Sequence, residues 1–137
     1  MQSELISLRD NTEVIPIAET EEASDICAKI RERFKLIGCP KLNSSDNVVT
    51  KPNLCSIQGP ETGATTDPKV VEGIILYLQK QFSVSNIAIV KSDESQVLAD
   101  MAFKLLGYEE LSKSFSVQLV NLSKASSSPT FSMVIPS

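Results

Sequence analysis

Residues 47–55 read Asn-Val-Val-Thr-Lys-Pro-Asn-Leu-Cys, and residues 67–78 read Asp-Pro-Lys-Val-Val-Glu-Gly-Ile-Ile-Leu-Tyr-Leu. The β-branched pair Val48 and Val49 opens a short strand, and Lys51, ahead of Pro52, is biased towards extended geometry. Pro52 has no N–H for a ladder, so the strand ends there. Asp67 is a good N-cap, and Pro68 suits the first helical position, where an N–H would have no partner. Val70, Val71, Ile74, Ile75 and Leu78 then recur at helical spacing as one apolar stripe. Residues 52–66 form a loop rich in Gly, Pro and Thr; unstructured loops beyond about 12–15 residues are uncommon and often functional. Strand, loop and helix in this order bring free N–H groups and a lysine to the carboxyl rim of a sheet, where open α/β folds bind ligands.

Upstream, residues 14–18 read as a first strand, with Pro16 suited to an edge or an irregularity. Thr20 is a candidate helix cap, Glu21 and Glu22 fall in the first turn, and Ile26, Cys27, Ile30, Phe34 and Ile37 make the stripe. Lys29, Arg31, Arg33 and Lys35 read as a solvated face, and Gly38 as the stop.

Downstream, residues 86–90 are nearly continuous in apolar character, as expected of a parallel strand buried on both faces. A third helix carries Leu98, Met101, Ala102, Leu105 and Leu106 and stops at Gly107. A short helical turn over 109–113 and a fourth strand over 117–122 follow. Residues 130–135 alternate, with Phe131, Met133 and Ile135 on one face. Only residues 123–129 precede them, and a parallel crossover normally needs about a dozen residues or more. The last strand is therefore expected to be antiparallel, or to lie at an edge or outside the sheet. The expected fold is one α/β domain over 1–137, a three-layer αβα arrangement with a mostly parallel sheet of about five strands. The end at Pro136-Ser137, with no closing helix, is what a truncated domain would show.

The chain has 137 residues, 42% of them hydrophobic, which suits one modest core. Its net charge of −4, with no basic run, argues against a nucleic-acid surface. The first ten residues lack the basic and apolar regions of a signal peptide, and no apolar run approaches the roughly 20 residues that span a bilayer. The expectation is a soluble cytoplasmic protein with no membrane partner.

Lys51-Pro52-Asn53-Leu54, the run from Thr62-Gly63-Ala64-Thr65-Thr66-Asp67-Pro68 to Glu72, and residues 102–108, Ala-Phe-Lys-Leu-Leu-Gly-Tyr, resemble the N-terminal part of domain-of-unknown-function family 362. Val117-Gln118-Leu119-Val120-Asn121-Leu122 fits as well, so the resemblance runs over about 48–122. It implies an α/β fold and no particular chemistry. Members are generally longer, and many continue into ferredoxin-type iron–sulfur modules. The resemblance also leads us to expect a glutamate near the end of the third strand, where this chain has Lys91. Cys27, Cys39 and Cys55 lack the close spacing of cluster thiolates, so they do not support an iron–sulfur cluster and no cofactor is expected in this chain.

Lys51 can pair with a phosphate or carboxylate as a point charge. Thr62, Thr65 and Thr66 offer hydroxyls, and Gly59 and Gly63 allow close backbone approach, so with the N–H groups near Asp67 they could cradle an anion. Against this, Asp67 competes for those N–H groups, and the threonines could simply cap the helix. No Gly-Lys-Ser/Thr run opens the helix, so this is not a Walker motif. Asn53 reads more readily as a turn former. Cys55 has no histidine anywhere in the chain to activate it, and Cys27 reads as core. Without histidine or paired cysteines a zinc site is improbable. Ser92, Asp93, Glu94 and Ser95 follow the third strand; the acids could hold Mg²⁺ but read better as first-turn acids of a helix. If the second and third strands are neighbours, Lys51, Asn53 and residues 92–95 share one crevice; if the first strand lies between them, Glu19 and Thr20 join instead.

Two functions follow, and whether there is a reaction stays open. One is the N-terminal portion of an enzyme binding a small anionic metabolite at the rim. The other is a non-catalytic binding or assembly module, in which the C-terminal strand joins a second copy or a partner chain that completes the fold.

Overall fold

The computed structural model describes residues 22–39, 41–54, 65–91, 96–122 and 133–136. In chain order these form α1 (Ala23–Ile37), β1 (Asn47–Lys51), α2 (Pro68–Phe82), β2 (Asn86–Lys91), α3 (Gln96–Leu105), α4 (Tyr108–Phe115), β3 (Gln118–Asn121) and β4 (Met133–Pro136). The expected strand at 14–18 lies outside the described residues. Among the described residues, no helix is long and apolar enough to cross a membrane.

The sequence signals locate α2 well. Asp67 is its N-cap, Pro68 occupies the first turn, and Ser83 closes it in the left-handed region. At α1 the start differs from the expected Thr20 cap: Glu22 is the N-cap, and its N–H donates to the Asp25 carboxylate at 3.2 Å in a capping-box arrangement. The stop at Gly38, φ +102°, is as expected. In α3, Ala102 and Phe103 are buried whereas Met101 and Leu105 are 43% and 58% exposed, so the expected stripe is rotated. The large Phe103 ring turns inward to Tyr108, with centroids 6.3 Å apart, and carries Met101 and Leu105 outward.

The sheet order is β3-β2-β1-β4. β1, β2 and β3 form a parallel core, with Val48 opposite Ile87 and Ile89 opposite Leu119. The β1 and β2 strands are thus neighbours. β4 pairs with the free edge of β1, Val48 opposite Met133, and also runs parallel. Its edge position agrees with the sequence; its expected antiparallel direction does not. That expectation rested on the few residues between the last two strands, too few for a usual parallel crossover. β4 lies on the far edge, and residues 122–132 can reach roughly 36 Å across three strand spacings of roughly 14 Å in all.

Both faces of the central strands β1 and β2 are buried, as parallel sheets require. Val48, Ile87 and Ile89 join one core with Ile26 and Ile30 of α1, Val71, Ile75 and Leu78 of α2, and Leu111 of α4. On the other face Val49, Ala88 and Val90 pack with Val120 and Leu122. The two helices α1 and α2 cross closely at Gly73, where a Cβ would sit 2.5 Å from Ile26 Cγ2 and 3.2 Å from the Ala23 carbonyl oxygen.

Candidate functional site at the carboxyl rim

Parallel strands end together, so the C-termini of β1 and β2 set Lys51 and Lys91 on adjacent strands of one rim. Side chains alternate along a strand. Lys51 follows Val49 onto the Val49–Ala88–Val90 face and is exposed. Lys91 follows Ile89 onto the face covered by α2 and is only 5% exposed. Among the described residues, each face of the rim therefore carries one lysine.

The chain leaving β1 and the chain entering α2 are fastened together here. Asn53 N–H donates to Thr66 Oγ1 at 2.9 Å, and Thr66 N–H returns a bond to the Asn53 carbonyl at 2.9 Å. Leu54 and Thr65, both buried, face each other as an isolated antiparallel bridge. The Lys91 ammonium donates to the Leu54 carbonyl. From α4, the wholly buried Tyr108 donates its hydroxyl to the Thr66 carbonyl at 2.8 Å. Burial, and then the negative charge of Asp67, push that phenol well above its usual range, so it stays a donor.

Asp67 does what its position in the sequence suggested. Its Oδ1 accepts the Lys69 N–H at 2.9 Å, so the first open donor of α2 already has an acceptor. At the neighbouring end of β3, Asn121 Nδ2 donates to Asp100 of α3 at 3.1 Å.

Of the candidate residues, Lys51, Asn53, Thr65, Thr66 and Asp67 are brought to one rim, and the last four build the joint between β1 and α2. Thr62, Gly63, Ser92, Asp93 and Glu94 lie outside the described residues, as do Cys55 and Thr20. Cys27 is core, as read. Two rim residues were missed. Lys91 closes an apolar run, and a charge ending a strand buried on both faces was the signal for it. Tyr108 follows Gly107, which was read only as a helix stop, although its φ of +83° begins α4. Of the charges read as a solvated face, Arg31 is half-buried, with its Nη2 4.0 Å from Cys27 Sγ on the same helix.

Among the described residues, no three His, Cys, Asp or Glu side chains gather where they could hold a metal ion. A family model, Domain of unknown function (DUF362), matches residues 48–134, covering both lysines and the joint between them. No curated protein and no solved structure matches the chain.

Proposed function

This chain belongs to the family Domain of unknown function (DUF362), and from its geometry we propose that it binds a small anionic molecule, a phosphate or a carboxylate, at the carboxyl rim of the sheet. The observation that carries this reading is the pairing of roles at the rim. Lys91 is buried and fastens the Leu54 carbonyl, while Lys51 on the next strand is exposed and offers its charge to solvent. A rim held rigid by buried bonds costs little further ordering when a ligand arrives. Since Asp67 already occupies the Lys69 N–H, the anion is held chiefly by lysine charge rather than by the helix start. In the fuller form of the proposal the chain is the anion-binding portion of an enzyme.

Thermal-shift screening of the whole chain with phosphorylated and carboxylated metabolites tests it. A ligand at a hundred times its Kd adds about 2.7 kcal/mol of apparent stability, and Lys51→Ala should abolish that gain. No shift with any anion, or an equal shift in the variant, would defeat the proposal.

A second reading, a module that docks a partner, draws on Met101 and Leu105, one turn apart on α3 and both exposed. It predicts self-association or capture of a partner that Met101→Lys with Leu105→Lys removes.

A further inference from the structure

Three helices run the same way along the sheet. α2 starts at the carboxyl rim, where Asn53 and Thr66 are joined, and ends just before β2 opens. α4 starts at the same rim, through the Tyr108 bond to the Thr66 carbonyl. Its far end meets that of α2, where Gln79 Nε2 donates to the Phe115 carbonyl at 3.4 Å. α1 runs alongside α2, with Ile26 against Gly73 and, further on, Phe34 stacked on Tyr77 at 5.4 Å between centroids. The three N-termini therefore gather at the carboxyl end of the sheet and the three C-termini at its amino end.

The charges follow that direction. First turns carry Asp25 in α1 and Glu109 and Glu110 in α4, while last turns carry Lys35, Lys80 and Lys113, all of them exposed. Each charge suits the dipole of its own helix. Because the helices are parallel, the charges also sum to an acidic end and a basic end. Among the described residues, exposed Glu32 at the basic end, and Lys51 and Lys104 at the acidic end, run against the pattern and are outnumbered.

Helix dipoles account for the charges but not for the apolar side chains beside them. Leu36, next to Lys35, is 69% exposed. Met101 and Leu105, 43% and 58% exposed, lie on α3, which the Asp100–Asn121 bond holds to the carboxyl end and which leads straight to Glu109 and Glu110. Exposed apolar side chains rimmed by charge mark contact surfaces. Here the two surfaces have opposite charge and lie at opposite ends, so a chain cannot satisfy one with the other except through a second copy.

We propose that the protein associates head to tail with copies of itself, the basic end around Leu36 docking on the acidic end around Met101 and Leu105. This rests on the reading of α3 as a docking face and names its partner. Such a contact is heterologous: each docked pair keeps one open end of either charge, and growth continues until a ring closes or a filament forms. Charge sets register and encounter rate, and the apolar side chains are shielded from water at the contact.

Sedimentation velocity of the full chain over a range of concentrations tests it. Oligomers that grow with concentration are expected at about 0.1 M salt, with association about tenfold weaker at about 1 M, where the screening length falls from about 10 Å to about 3 Å. Lys35→Glu with Lys113→Glu makes both ends acidic, and Glu109→Lys with Glu110→Lys makes both basic, so each variant alone should be monomeric. Mixed together, the two variants should associate again, which misfolded chains would not do in this charge-matched way. The proposal is overturned by a parent chain that stays monomeric at every concentration, or by association that salt and both reversals leave unchanged. It is equally overturned if the mixed variants stay apart while each keeps the circular dichroism of the parent. A monomeric parent does not decide the docking reading of α3, which stands or falls on capture of a different partner that Met101→Lys with Leu105→Lys removes.

Discussion

The ammonium of Lys91, last residue of β2, donates to the carbonyl of Leu54, 37 residues earlier in the chain. It ties the segment leaving β1 to the neighbouring strand. Lys91→Met keeps the length of the stem but removes the donor from a buried carbonyl. The expected loss is about 1–3 kcal/mol, read as a lower urea midpoint at unchanged m. Hydrogen exchange at the Thr66 N–H, which bonds Asn53 in the same joint, should quicken, while the Ile75 amide in α2 follows global stability alone.

Tyr108→Phe strips the Thr66 carbonyl of its donor from α4. A loss of about 1–3 kcal/mol is expected again. Because both side chains secure one joint, the double variant with Lys91→Met should lose less than the two single losses added. Strict additivity in urea unfolding would show that the joint does not act as a unit.

Gly73 sits where α1 and α2 touch, so Gly73→Ala drives a methyl into Ile26. Alanine gains roughly 1 kcal/mol of helix propensity over glycine, but overpacking costs about 1–3 kcal/mol, and the net should be destabilising. Ile26→Ala should then cost less in the Gly73→Ala chain than in the parent, because it also relieves the clash. A Gly73→Ala protein with a raised melting temperature would contradict the close crossing.

The Tyr77 phenol is raised from 10.0 to about 12 in the folded chain, chiefly by burial. A raised folded value means that stability is whole below the unfolded pKa near 10 and falls as pH climbs towards the folded value. Urea midpoints should therefore drop between pH 10 and about 12, and Tyr77→Phe should drop less steeply over the same window.

The sequence made the β1–loop–α2 unit legible because each of its signals acts locally. Val48 and Val49, Pro52, and the Asp67-Pro68 cap need no distant partner to have their effect. The direction of β4 was not legible, since it depends on which strand edge lies open, a property of the whole sheet. Lys91 was hidden for a related reason. Alone it reads as a solvated charge, and the carbonyl of Leu54 brought alongside helps to make its burial tolerable. Met101 and Leu105 fit helical spacing as well as Ala102 and Phe103 do, and spacing does not say which stripe the neighbouring helix will cover.

The parallel seam between Val48 and Met133 has a consequence for how the protein is made. As the chain leaves the ribosome, β1 can find β2 soon after α2 has formed. Among the described residues, its opposite flank is paired by β4, which is translated much later. Contacts this far apart in sequence slow the folding search, and until they close the nascent chain holds a bare strand edge open to other nascent chains. Translation of β4 thus times the end of that exposure.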